Sequence, residues 1–287
     1  MDIAVIGAGR VGTAMAVLLS RAGHRIAAVS GREETEARAA RYLPGVPVLA
    51  LAEAVRAGDL AVIAVPDDEL PSVVAAAAAE DAFGPGRWVA HVSGATGLGV
   101  LGPAHAAGAR RLAVHPLQTF PDVDGAIARL PGSAIAVTAD DEDGFALGER
   151  LARDLGGEPF RLADELRPLY HAAAVFASNY LVATSAVAAG LFGAAGVPDP
   201  ARAMAPLQRA TLENVERLGP EAALTGPAVR GDAGTVARNL EALSGAAPGA
   251  VPAYVAMCGV ALDLAVASGR LAPERRAPVD EVLARWR

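Results

Sequence analysis

Residues 3–12 read Ile3-Ala-Val-Ile6-Gly7-Ala8-Gly9-Arg10-Val11-Gly12, a short apolar run that passes directly into a glycine loop. The run predicts a buried strand over Ile3–Ile6, and the spacing of apolar residues after the loop predicts a helix over Val11–Arg21. Each glycine has its own reason. Gly7 permits a tight turn, Gly9 lets the backbone approach a pyrophosphate, and Gly12 lets the helix lie close to the strand. The free N–H groups of the helix N-terminus then point at phosphate oxygens. A glycine-rich turn without a ligand is the bland alternative, and the strand before and helix after the loop weigh against it. Gly7, Ala8, Gly9, Arg10, Val11 and Gly12 are therefore a candidate dinucleotide loop.

Working outward, short apolar runs alternate with helical segments through the first half of the chain, the pattern of a doubly wound parallel α/β sheet. Further strands are expected at Arg25–Ser30, Asp59–Val65, Trp88–Val92, Arg111–Val114 and Ser133–Val137. The helices between them are expected at Glu34–Tyr42, Leu51–Ala57, Leu70–Ala79 and Glu142–Leu155. From Asp164 the pattern becomes wholly helical, with a long helix to about Ala195 and others at Ala201–Leu218, Asp232–Leu243, Val251–Ser268 and Pro273–Arg285. This gives a Rossmann domain over residues 1–160 and an all-helical substrate-binding and dimerisation domain over 161–287.

The second strand ends in Val29-Ser30-Gly31-Arg32, where NAD-binding domains usually carry an acid for the ribose 2′-hydroxyl. A hydroxyl and a guanidinium suit a 2′-phosphate instead, so NADP is expected in preference to NAD. The alternative for Arg32 is a solvated loop charge. Val65, Pro66 and Asp67, at the end of the strand 59–65, should pass beneath the nicotinamide-side ribose.

Composition removes several classes of function. The chain carries a net charge of −7, which disfavours a nucleic-acid partner. Its 25 basic residues are all arginine, so no catalytic lysine or Schiff base is possible. Cys258 is the single cysteine and reads as a small buried hydrophobe; neither a disulfide nor a cysteine-built metal site can form, and no metal is expected. The chain opens on a strand rather than a secretory signal, so a soluble cytoplasmic protein is expected. Ala172 to Val197 lacks charge, but its alanine-rich composition and its Ser178, Asn179, Thr184 and Ser185 fit a helix buried between domains better than a membrane span.

Three clusters could meet a substrate. His91-Val-Ser93-Gly94-Ala95 follows a strand at the edge where open α/β sheets bind ligands, and Ser93 and Gly94 are candidate substrate contacts. His115-Pro-Leu-Gln118-Thr-Phe120 follows the next strand and offers a histidine for proton transfer and Gln118 for substrate. Tyr170-His171 and Ser178-Asn179 share the long helix, and at 100° per residue Ser178 falls within about 20° of His171 and Asn179 about 80° away. Alternatively, His171 and Asn179 satisfy one another or the backbone in a buried interface. A fourth stretch, Leu224-Thr-Gly226-Pro227-Ala-Val-Arg230-Gly231-Asp232, reads as a rigid turn with Asp232 capping the next helix and Arg230 free to hold a carboxylate. His24 and His105 have no such company and read as surface residues.

With these residues in place, the runs HVSGA, HPLQTF, YHAAAVFASNYL and LTGPAVRGD resemble a family that joins a Rossmann-like domain to a helical domain of unknown function 2520. That family is similar in plan to 6-phosphogluconate and 3-hydroxyisobutyrate dehydrogenases, pyrroline-5-carboxylate reductase and ketopantoate reductase. The resemblance implies an NAD(P)-dependent dehydrogenase or reductase, often dimeric through the helical domain; some relatives are linked to pantothenate synthesis, which makes a small keto acid, ketopantoate, the leading candidate substrate. One departure matters: hydroxyacid dehydrogenases carry lysine four residues before the asparagine matching Asn179, and Val175 stands there. His171, one turn earlier, becomes the candidate proton donor, with Asn179 and Ser93 orienting the carbonyl. Prephenate dehydrogenases use a histidine before proline, which keeps His115 as the alternative donor. An imine or pyrroline carboxylate reductase and a non-catalytic NADP sensor are the other readings.

Overall fold

The computed structural model describes all residues, Met1–Arg287, and the chain divides into two units, Met1–Asn179 and Tyr180–Arg287. In the first, strands β1 (Asp2–Ile6), β2 (Arg25–Ser30), β3 (Leu60–Ile63), β4 (Trp88–His91), β5 (Arg110–Pro116), β6 (Ala134–Ala139) and β7 (Glu158–Arg161) form one sheet. Helices α1 (Arg10–Arg21), α2 (Thr35–Tyr42), α3 (Leu51–Ala57), α4 (Leu70–Ala79), α5 (Gly102–Ala106), α6 (Val123–Arg129) and α7 (Glu142–Asp154) connect the strands. The strand order is β2-β1-β3-β4-β5-β6-β7. All neighbours are parallel except β5 and β6, which pair antiparallel. The sheet is thus the expected Rossmann-like α/β sheet with one reversal near its far edge.

Its central strands read as continuous apolar runs because both faces are covered. Ile3, Ala4 and Val5 of β1 and Leu60 of β3 are wholly buried. The chain leaves β1 for β2 on one side, and β3 lies on the other. This reversal opens a crevice beyond the C-terminal ends of β1 and β3, where such sheets take their ligands.

Three elements of this unit escape the sequence pattern. Strand β7, Glu-Pro-Phe-Arg, lies at the sheet edge and is too polar and too short to show alternation. Helix α6 carries a glycine and follows Pro121; its start is set by Asp122, whose carboxylate accepts from Gly125 N at 2.6 Å. The 3₁₀ turn Leu98–Leu101 with α5 replaces what reads as loop. One surface assignment is also corrected. His24 is mostly enclosed, its side chain 9% exposed, because its Nε2 pairs with Asp154 at 2.8 Å. His105 is exposed as expected.

The division at Asn179 falls later than the expected boundary at 160 because the start of the long helix is tied into the sheet unit. After a 3₁₀ turn, Asp164–Leu166, helix α8 (Arg167–Ala174) runs into a π-helical turn, Val175–Asn179. Asp164 Oδ1 accepts from Leu98 N at 2.9 Å, and Arg167 donates to Thr96 O at 2.7 Å. These bonds hold the helix start on the loop that follows β4.

The second unit contains α9 (Tyr180–Ala194), α10 (Pro200–Leu218), α11 (Pro220–Ala223), α12 (Pro227–Arg230), α13 (Ala233–Ala246), α14 (Val251–Ala267) and α15 (Pro273–Ala284). Val236, Leu240, Leu262, Val279 and Leu283 form its fully buried centre, and Cys258 packs beside them. Asp232 caps α13 as expected, accepting from Thr235 N at 2.9 Å. Helix α9 departs from expectation: none of its residues is buried, and Val182 is 68% exposed. The charge-free segment is therefore uncovered within the single chain rather than enclosed. By length and composition, Asp164–Ala194 and Pro248–Ala267 are each long and apolar enough to cross a membrane.

Candidate active site

The glycine loop builds a cleft of about 630 Å³ at the C-terminal ends of β1 and β3. Gly7 has a positive φ of 87°, and a Cβ there would stand 2.7 Å from Ala64 O. At Gly12 a Cβ would lie 2.3 Å from Gly7 O, so only glycine lets α1 seat against β1. Gly9 differs: the nearest atom to its notional Cβ is 4.0 Å away, so it faces open space. Gly9 is also the N-cap of α1 and offers no side chain to the first helical N–H groups. Uncapped donors beside an open, side-chain-free approach fit a diphosphate.

Ala8, Arg10, Ser30, Arg32, Val65 and Pro66 line this cleft with Gly7 and Gly9. Val11, Gly12 and Asp67 do not; Gly12 acts from behind, by packing. Arg32 is 83% exposed on its side chain and pairs with Glu69 at 2.5 Å. The sequence reading missed Thr35, Arg38 and Glu69 on the cleft wall. Arg38 donates to Ala8 O at 2.8 Å and to Glu34 at 2.6 Å, which ties α2 to the glycine loop. Its position six residues after Arg32 was the available signal.

The histidine clusters converge on Gly94. A Cβ on Gly94 would stand 2.8 Å from His115 Nε2 and 2.9 Å from His171 Nδ1. His115 stands in β5 and His171 on α8, so a strand and a helix deliver two imidazole nitrogens to one point. His115 Nδ1 and the Tyr170 hydroxyl are 2.8 Å apart, with the rings edge to face at 88°. Phe160 of the unforeseen β7 also packs edge-on against Tyr170, ring centres 5.9 Å apart. His171 Nδ1 is buried and has no hydrogen-bond partner. At that atom neither Asn179 nor the backbone satisfies the ring.

Burial is the main cause of the shifted pKa values here, because it disfavours charge. It lowers His115 to about 4, helped by Arg167 and His171. Burial lowers His91 to about 3, with Arg167 and His115 adding to the effect; its ring makes no well-formed hydrogen bond, and the Gly97 backbone is the one group nearby that favours its proton. Burial raises Tyr170 to about 12.

Ser93 is buried, and its Oγ accepts from Thr96 N at 3.0 Å while its carbonyl accepts from Arg167. Gln118 is not brought to this cluster as a free contact: its amide nitrogen reaches Ser133 Oγ at 3.3 Å and its oxygen accepts from Thr119 N at 2.8 Å. Ser178 and Asn179 fall in the π turn, which winds differently from an α-helix, so angles read at 100° per residue do not hold past Val175. Arg230 belongs to the second unit, at the end of α12, where its carbonyl accepts from Arg275 at 2.6 Å.

A glycine-loop crevice at the switch point of a mostly parallel sheet, followed by a helical unit, defines the Rossmann-like class of two-part α/β proteins. The chain matches a Rossmann-like domain over residues 1–116 and the domain of unknown function 2520 over residues 133–260. It is similar in structure to a candidate NADP oxidoreductase from Bacteroides fragilis (TM-score 0.76, 24% identity, 91% of this chain and 98% of that one). A protein of Thermotoga maritima is similar at TM-score 0.70 and 20% identity, over 93% of this chain and 99% of that one. An imine reductase from Myxococcus stipitatus in complex with NADP+ is similar at TM-score 0.65 and 15% identity, over 100% of this chain and 99% of that one. At these identities the likeness is one of fold.

Proposed function

We propose that the protein is an NADP-dependent oxidoreductase that reduces the carbonyl of a small keto acid, ketopantoate or a close analogue. The observation that carries this reading is the convergence of His115 Nε2 and His171 Nδ1 at Gly94, on the same sheet edge as the glycine-loop cleft. When bound, NADPH supplies a hydride. Gly7, Ala8, Gly9 and Arg10 would hold its diphosphate, Ser30 and Arg32 its 2′-phosphate, and Val65 and Pro66 its second ribose. Val11 and Gly12 shape that loop from behind, and Asp67 follows it on the rim.

The two histidines divide the remaining work. With its pKa near 4, His115 is neutral at physiological pH and a poor proton source. In this reading the protonated Tyr170 hydroxyl donates a hydrogen bond to His115 Nδ1, the tautomer that leaves the ring proton on Nε2. His115 thus donates a hydrogen bond that orients the substrate oxygen. His171 is the general acid: as the carbonyl π pair becomes an oxygen lone pair, it delivers the proton that completes the hydroxyl. Ser93, Gly94, Ser178 and Asn179 position the substrate. The uncovered apolar face of α9 supports a homodimer formed through the helical unit.

NADPH oxidation by a panel of 2-oxo acids and cyclic imines, run with wild type and His171→Gln, tests the reading. Turnover of an oxo acid that His171→Gln abolishes, with NADPH still bound, is the expected result. Tight NADPH binding with no turnover on either panel would turn the reading toward a sensor, and preference for imines toward an imine reductase.

A further inference from the structure

Arg167, one helical turn before His171, is the largest side chain with no exposure at all. Its Nε donates to Thr96 O at 2.7 Å, one terminal nitrogen donates to Thr138 Oγ1 at 2.9 Å, and the other donates to Ser93 O. All three acceptors are neutral, and no carboxylate lies within ion-pair distance. Asp164 and Asp67 are the acids that favour its charge, and Asp164 is already engaged by Leu98 N at 2.9 Å. A guanidinium does not shed its proton in a protein. The loop it grips, Ser93 to Thr96, includes the Gly94 against which both imidazoles stand. A full positive charge with no carboxylate in direct contact is therefore built into the wall of the reaction site, and buried charges are normally paired.

Resting on the reading above, we infer that Arg167 is a specificity-determining residue that selects substrates gaining negative charge at the reacting atom and rejects cationic iminium ions. Hydride addition to a carbonyl carbon turns the C=O π pair into an oxygen lone pair, and the developing alkoxide is stabilised by a fixed cation until His171 protonates it. Hydride addition to an iminium carbon consumes a positive charge instead. Bringing that cation beside Arg167 is repulsive, most of all where water is scarce. A carboxylate next to the carbonyl adds to the discrimination, since it is attracted by the same fixed charge. The direct contacts of Arg167 are to backbone and Thr138, so it acts by field and not by touching the reacting atoms.

The test compares wild type, Arg167→Met and Asp164→Asn, using NADPH with a 2-oxo acid and with a cyclic imine. Arg167→Met is expected to lower the ratio of kcat/KM for oxo acid over imine by about tenfold or more. Asp164→Asn removes the nearby acid but keeps an acceptor for Leu98 N, and is expected to raise that ratio. The second readout needs no turnover: proton NMR titration should place the His115 pKa higher in Arg167→Met and lower in Asp164→Asn than in wild type. Equal losses on both substrates would reduce Arg167 to a loop clamp, and a wild-type preference for imines would overturn the inference outright. Should Arg167→Met not fold, an unmoved ratio and an unmoved His115 titration in Asp164→Asn would also overturn it. Failure of wild type to bind NADPH would instead remove the underlying reading, and the His115 titrations would still report whether Arg167 exerts its field.

Discussion

His115 and His171 reach Gly94 from opposite elements, and their Nε2 and Nδ1 atoms stand 2.8 and 2.9 Å from where a side chain on that glycine would begin. Gly94 is thus an opening held by two rings. Gly94→Ala would push the imidazoles apart and is expected to cost about 1–3 kcal/mol in stability through overpacking. Carbonyl turnover is expected to fall about a hundredfold while NADPH affinity holds. Steady-state kinetics beside fluorescence titration would measure both, and full turnover by a folded Gly94→Ala would dissociate the opening from catalysis.

The second and third glycines of the dinucleotide loop should separate folding from binding. Gly9 faces open space, so Gly9→Ala is expected to cost no more than about 1 kcal/mol, as an N-cap change. Its NADPH affinity should nevertheless drop at least about tenfold, because the methyl occupies the phosphate approach. Gly12→Ala meets Gly7 O at 2.3 Å and should lower Tm clearly. Equal thermal losses for the two variants would contradict this division.

Arg32 meets Glu69 at 2.5 Å on the cleft wall, and a 2′-phosphate would compete for the same guanidinium. Arg32→Ala is expected to weaken NADPH binding about tenfold or more while NADH binding stays within about twofold. Calorimetry with both dinucleotides would decide. A parallel loss for NADH would place Arg32 outside 2′-phosphate recognition.

Two neutral histidines inside the sheet unit make stability depend on mild acid. His91 and His115 titrate near 3 and 4 in the folded chain against about 6.5 when unfolded, so the unfolded chain binds more protons below that value. Stability is complete above about pH 6.5 and is lost as pH falls toward the folded values, at roughly 2 kcal/mol per histidine by about pH 5. Lowered carboxylates such as Asp141 and Glu149 begin to contribute only near pH 4. Urea midpoints at about pH 7.5 and 5 should differ in wild type and less so in His91→Leu. Identical midpoints in wild type would show that neither imidazole is held neutral by the fold.

The uncovered α9 can be examined directly. Val182→Glu places a charge on its exposed apolar face, where a second copy would seat. Sedimentation is expected to report a dimer for wild type and a monomer for the variant. A wild-type monomer at micromolar concentration would remove the dimer.

Much of this could be read from residue order alone. Strand β2 and helices α3 and α4 begin and end where their apolar periodicity places them, because Gly58 and Pro66 flank runs that are otherwise uninterrupted. The glycine loop and the paired histidines were legible because glycine and imidazole chemistry narrows the choices. Arg167 was not. A charged residue one position before proline in a first helical turn reads as solvated, and only the third dimension turns it inward onto Thr96, Thr138 and Ser93. Strand β7 was equally silent, since Glu158 and Arg161 are surface groups on an edge strand whose pairing depends on β6. The π turn at Val175–Asn179 rests on one extra residue per turn, which no hydrophobic period announces.

The two domain families meet between residues 116 and 133, yet β5 and β6 on either side of that seam are bonded to each other from Leu112↔Ala139 to Pro116↔Ile135. The inherited modules and the physical folding unit are therefore out of step. Severing the gene at the seam would strip β5 of a partner and present an open ladder to neighbouring molecules, while Ile135 and Val137, wholly enclosed in the intact sheet, would meet water on the other fragment. Each half alone should clump, and the shortest stretch that stays in solution by itself will carry β6, α7 and β7 with the nucleotide-type half rather than with the helices they share a family with.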